Sequence, residues 1–193
     1  TYIMFQIKAK ANALKPELEK KNRSPIFLSM GAPVENPPQK MFDVLKAEMD
    51  KTGVHTYSTP KGEKYFVEAI AKKMKSRFGV ELDPSTEICS LLGSKEGLAN
   101  FIRVLINPTT DKEEQDVLFV PDPGYASYGQ MITIAGGKSY PVPLTPENNF
   151  MPNLDEVWDS YIKDGGKAEK VKALIINYPN NPLGATATRE YYK

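Results

Sequence analysis

From residue 87 onward the chain alternates short apolar runs with amphipathic stretches, and this alternation limits the available folds more than any other feature. Glu87 to Leu92 reads as a strand, Glu96 to Ile106 as a helix stopped by Asn107-Pro108, and Asp116 to Val120 as a second strand running into Pro121-Asp122-Pro123-Gly124. Ala126 to Ala135 reads as a helix, Lys138 to Val142 as a strand after Gly136-Gly137, Leu154 to Lys163 as a helix, and Ala173 to Asn177 as a very apolar strand. That strand breaks at Pro179-Asn180-Asn181-Pro182-Leu183-Gly184, ahead of a helix beginning near Thr188. Strands separated by single helices pair in parallel with right-handed crossovers, so the expected class is α/β, a mostly parallel sheet covered by helices. Two helices precede this region. Pro38 to Lys51 carries Met41, Val44, Leu45 and Met49 at helical spacing, with Gly53 placed to end it, and from Glu63 the residues Phe66, Ile70, Met74 and Phe78 recur every four positions up to a Gly79 cap.

Charge and composition exclude several functions. The 25 Lys and Arg against 24 Asp and Glu leave a formal charge of +1, which offers no basic face for nucleic acid or an anionic membrane. With 40% hydrophobic residues the chain can bury one sizeable core. The single cysteine, Cys89, and single histidine, His55, exclude an internal disulfide and a clustered cysteine or histidine metal site. Cys89 reads as a buried strand residue, His55 as a surface histidine, and Trp158 as core. No apolar run reaches the roughly 18 residues of a membrane span, Thr1 to Lys10 lacks a secretory layout, and a cytoplasmic setting is expected. Proline is the unusual count, at 16 where average usage gives about 10, and the prolines sit in clusters between periodic segments.

Open α/β sheets bind ligands beyond the carboxyl ends of their strands, which directs attention to the residues after Leu92, Val120 and Asn177. Gly93-Ser94-Lys95-Glu96-Gly97 runs straight into a helix, where free N–H groups and the helix dipole suit an anion such as phosphate. The plainer reading is a Ser cap beside a solvated lysine. Tyr125 could stack on a planar heteroaromatic ligand or pack on its neighbours. In Asn180-Asn181-Pro182-Leu183-Gly184 the flanking prolines would hold an amide rigidly at the sheet edge, or form an ordinary turn. Together the anion cradle, aromatic plate and rigid amide suit a phosphorylated aromatic cofactor.

These segments, with Leu28-Ser29-Met30-Gly31-Ala32-Pro33, Tyr57-Ser58-Thr59-Pro60-Lys61-Gly62 and Pro121-Asp122-Pro123-Gly124-Tyr125, resemble in order and spacing the fold-type I pyridoxal-phosphate enzymes of the class I/II aminotransferases. The Gly-Ser-Lys-Glu-Gly and Pro-Asp-Pro-Gly-Tyr pair resembles most the branch of the LL-diaminopimelate and aspartate aminotransferases. The resemblance implies that Ser94 and Lys95 lie at the phosphate of pyridoxal 5'-phosphate, that Tyr125 stacks on its ring, and that Asn181 hydrogen-bonds its phenolic oxygen. It further implies that Tyr57 reaches the phosphate of a partner subunit in a homodimer and that the Gly31 backbone meets the substrate carboxylate. Leu183 stands where the family has threonine and Ala126 where it has proline; Tyr2 does not fall on the substrate-contacting tyrosine of the diaminopimelate enzymes.

No lysine of the chain matches the family's Schiff-base lysine, which follows the Asn-Pro segment, so no catalytic residue is assigned. The expectation is an N-terminal piece of a longer enzyme, with residues 1–50 forming an N-terminal arm and small-domain segment and 51–193 the first half of the large domain. In isolation this piece is expected to be poorly soluble or to need a partner chain, because a truncated sheet leaves an open edge. The expected activity is amino-group transfer between an amino acid and a 2-oxo acid. The alternatives are a lyase on the same fold and a non-catalytic remnant or interaction module.

Overall fold

The sheet is built around one strand that is buried on both faces. In the computed structural model, which describes residues 3–28, 31 and 33–193, three strands are present: β1 (Val117–Asp122), β2 (Lys138–Pro143) and β3 (Val171–Leu174). Their order is β2-β1-β3 and both pairings are parallel. The β1–β2 register runs from Val117 opposite Lys138 to Asp122 opposite Pro143, and β1–β3 carries an irregularity between Val117 and Leu118.

Side chains alternate across β1 with the period of two that a strand imposes. Leu118 points into a cluster with Ile102, Ile106, Met131, Ile132 and Ala135. These come from α4 (Ser94–Leu105), α5 (Ser127–Ile134) and the residues just after each. Val117 and Phe119 point the other way, toward Val142 and toward Val157 and Tyr161 of α6 (Leu154–Lys163). Aromatic edge contacts tighten that face, with Phe119 and Tyr161 centroids 5.1 Å apart. Trp158 lies beside Phe119 at 6.3 Å but remains 38% exposed, so it borders this core instead of filling it.

The chain falls into two compact units, Thr1–Tyr57 and Ser58–Lys193. The first holds helices α1 (Ile3–Lys20) and α2 (Gln39–Met49), and none of its described residues is buried. Helix α2 ends at an Asp50 cap in ordinary helical conformation, not at Gly53, which takes φ 86° in the turn beyond. In the second unit α3 (Lys64–Phe78) ends as its sequence requires, with Gly79 in the left-handed conformation at φ 70°.

Two expected elements are absent among the described residues. Residues 87–92 have strand composition but form no ladder, because a strand exists only through a partner and this segment's backbone bond goes sideways, from Ser90 N–H to Lys61 O at 2.8 Å. Cys89, expected buried in that strand, is exposed. The helix expected near Thr188 is a single 3-10 turn, Glu190–Tyr192.

A carboxylate cluster at the opposite edge of the sheet contributes to the acid stability of the second unit. Lys167 and Lys170 hold the Glu114 carboxylate at 2.8 and 2.6 Å, and their hydrogen bonds lower its pKa to about 2. Asp116 is buried, which opposes ionisation, but bonds from the Asn107 backbone and side chain at 2.8 and 3.0 Å, with Lys172 at 3.5 Å, bring its pKa below the ordinary value. A depressed folded-state pKa contributes stability above the unfolded value and loses it as pH falls through the folded value. The urea midpoint should therefore be flat down to about pH 4.5 and drop from there toward pH 2. In a Glu114→Gln variant the drop should be shallower, and an equally steep one would contradict this assignment.

Candidate cofactor site

Parallel pairing brings the carboxyl ends of β1 and β3 to one edge. Past β1 the chain turns through Pro121-Asp122-Pro123-Gly124, where a side chain on Gly124 would collide with the Pro121 carbonyl oxygen. This tight turn delivers Tyr125 half-exposed at the start of α5. The Tyr125 ring meets Tyr128 edge-on at 5.4 Å and 81°. On the same edge, α4 begins immediately after Gly93, and the Lys95 ammonium lies 5.9 Å from the Tyr125 ring centroid.

The α4 terminus is open to a ligand. Its first turn has no preceding carbonyls to satisfy its N–H groups. Glu96 and Gly97 N–H bond to Gly93 O at 3.1 and 3.3 Å, while those of Ser94 and Lys95 have no acceptor among the described residues. The Glu96 carboxylate is turned back and accepts from Leu92 N–H at 2.9 Å. A Cβ built on Gly93 meets nothing within 4 Å. Two free amides, a dipole terminus and an ammonium near an aromatic ring make a donor set that suits a phosphate. The Tyr125 phenol is pulled below its ordinary pKa by the Ser127 hydroxyl and then by Lys95.

Asn181 is exposed in the loop after β3, its N–H bonded to the Asn177 side chain at 3.3 Å. Its neighbour Asn180 is 4% exposed and bonds Pro123 O from Nδ2 at 3.4 Å, which joins the Tyr125 and Asn181 loops. Ser94, Lys95, Tyr125 and Asn181 thus lie at one sheet edge. The residues that sequence reasoning missed are Ser127, buried beside the Tyr125 phenol, and Asn180; the doubled asparagine was the only signal for the latter. Tyr57 stands fully exposed at the end of the first unit, where His55 Nε2 meets Met49 O at 3.1 Å. A Cβ on Gly31 would meet nothing within 4 Å. Tyr2, Ser29, Met30 and Ala32 lie outside the described residues. Among the described residues no group of three or more His, Cys, Asp or Glu could hold a metal ion, and no helix is long and apolar enough to cross a membrane.

Free helix-terminus amides and an ammonium beside an aromatic ring, at the carboxyl edge of a parallel sheet, are an α/β arrangement of donors that suits a phosphorylated planar ligand. The chain belongs to the class I and II aminotransferases, whose family model matches residues 25–193. It is 40% identical over 180 residues to an LL-diaminopimelate aminotransferase of Syntrophobacter fumaroxidans, covering 93% of this chain and 43% of that one. The LL-diaminopimelate aminotransferase of Aquifex aeolicus is 36% identical over 201 residues, covering 98% and 49%. Substrate-bound BacF from Bacillus subtilis superposes with TM-score 0.81 at 30% identity, over 100% of this chain and 44% of that one. Aspartate aminotransferase from Thermotoga maritima gives 0.76 at 30%, over 97% and 45%. The chain therefore spans less than half the length of the relatives it matches, and its fold is the N-terminal part of the fold-type I aminotransferase domain. The family uses pyridoxal phosphate.

Proposed function

We propose that the protein carrying this chain is a pyridoxal-phosphate-dependent aminotransferase that moves an amino group between an amino acid and a 2-oxo acid, and that residues 58–193 supply half of its cofactor cradle. The observation that carries this reading is the Lys95 ammonium near the Tyr125 ring, in an α4 first turn whose Ser94 and Lys95 N–H groups have no acceptor among the described residues. Ser94 and Lys95 bind the phosphate, Tyr125 stacks under the pyridine ring, and Asn181 donates its side-chain amide to the phenolic oxygen. When bound, the cofactor supplies an electron sink for the bonds at the substrate α-carbon, and these residues fix its orientation. The Gly31 backbone meets the substrate carboxylate and Tyr57 reaches a partner subunit's phosphate in a homodimer of the cytoplasm. Residues 1–50 act as an arm and small-domain segment and 51–193 as the first half of the large domain. No residue of this chain is assigned a catalytic role.

Two measurements test the proposal on the natively expressed protein. Product formation from an amino acid should require a 2-oxo acid acceptor, and turnover without one would favour a lyase. Tyr125→Ala should weaken pyridoxal phosphate binding about tenfold, the worth of one aromatic stacking contact. An unchanged affinity would remove Tyr125 from the site.

A further inference from the structure

We propose that Asn180 is a positioning residue that fixes the spacing between Tyr125 and Asn181; this rests on the cofactor reading above. Buried polar side chains are rare in this chain, and among the described residues Asn180 is one of three. All four of its hydrogen-bonding groups are used. The backbone N–H donates to Ala185 O at 2.8 Å and the carbonyl accepts from Gly184 N–H at 2.7 Å. Oδ1 accepts from Leu183 N–H at 3.1 Å, and Nδ2 donates to Pro123 O at 3.4 Å. The first three close the loop of residues 180–185 on itself. The fourth reaches a residue 57 positions earlier, two before Tyr125.

That fourth bond is the one direct hydrogen bond between residues 121–125 and 177–185 among the described residues. Tyr125 is otherwise fixed from its own side, by Tyr128 and Lys95, and Asn181 by Asn177 of its own loop. A planar ligand stacked on Tyr125 that also accepts from Asn181 needs one fixed offset between ring and amide. Asn180 supplies it through Pro123, without a hydrogen bond of its own side chain to the Tyr125 ring or to the Asn181 side-chain amide. The phosphate end does not depend on this clamp, because Ser94 and Lys95 are carried by α4.

Ligand discrimination therefore separates positioning from mere stability. In the natively expressed protein, stripped of cofactor, the affinities for pyridoxamine 5'-phosphate and for inorganic phosphate are compared. Asn180→Ala should weaken pyridoxamine phosphate about tenfold, the worth of one lost hydrogen bond, and leave inorganic phosphate unchanged. Asn180→Asp keeps the acceptor for Leu183 N–H but puts a second acceptor against Pro123 O in place of the donor, so it should show at least the same loss of pyridoxamine phosphate and again leave inorganic phosphate unchanged. If both variants keep the wild-type preference for pyridoxamine phosphate, or lose both ligands in parallel, the clamp is refuted. If the wild type itself holds pyridoxamine phosphate no better than inorganic phosphate, the cofactor reading falls and the clamp with it.

Discussion

Gly62→Ala is expected to lower folding stability by about 4 kcal/mol, combining the cost of a non-glycine residue in a forbidden backbone region with that of an overpacked contact. Gly62 is buried with φ +101°, and a Cβ there would lie 2.5 Å from the Ser90 Cβ and closer still to its hydroxyl. Neither partner can yield cheaply. Gly62 is held by its N–H to Thr59 O at 2.8 Å and by the Thr59 hydroxyl to its own carbonyl at 2.6 Å. Ser90 is tied to the same turn by its N–H on Lys61 O, and the Lys61 ammonium bonds Ser85 O. The effect should extend to the ligand site, because Ser90 lies just one helical turn's length of chain before Ser94. Urea denaturation of the variant measures the first effect and inorganic phosphate titration the second. A loss below about 1 kcal/mol would mean that the turn moves freely over Ser90.

That staple shows where the sequence was legible and where it was not. Periodicity located β1, β2, α5 and α6 nearly to the residue, because each buries side chains that repeat with the element's own geometry; it also located α3, whose Phe66 and Phe78 are nonetheless exposed while Val67 is buried. Leu118, Phe119 and Ile132 are core for that reason. Residues 87–92 share the composition of those strands, but composition is a property of the segment, whereas a ladder needs a second backbone. Here Ser90 finds the Lys61 carbonyl instead. Val120 and Asn177 mark edges to which topology alone directed attention, and Tyr125 and Asn181 do lie there. Which asparagine of the pair turns inward could not be read, since both have the same chemistry and the choice depends on Pro123 O, distant in sequence. The buried Asp116 was missed for the same reason: its partners Asn107 and Lys172 come from distant parts of the chain, with no periodic signal.

Lys95→Glu should reduce affinity for pyridoxal phosphate by about two orders of magnitude. Losing a charge-assisted bond to the phosphate and gaining a like charge beside it are together worth about 3 kcal/mol. Stability gives the independent control. A lysine in the first turn of α4 opposes the helix dipole, and a glutamate there favours it by a few tenths of a kcal/mol. Against this, the Lys95 contact over the Tyr125 ring is lost, at a cost of about 0.5 kcal/mol for an exposed cation on an aromatic face. The two nearly cancel, so the urea midpoint should barely move while ligand affinity collapses. A residue that serves only to solvate a helix face would show the reverse, with unchanged binding and a small gain in stability. The binding defect should also shrink at high salt, because both the lost attraction and the new repulsion act at an exposed site open to screening. Unchanged affinity in Lys95→Glu would place the phosphate away from α4 and require another cradle.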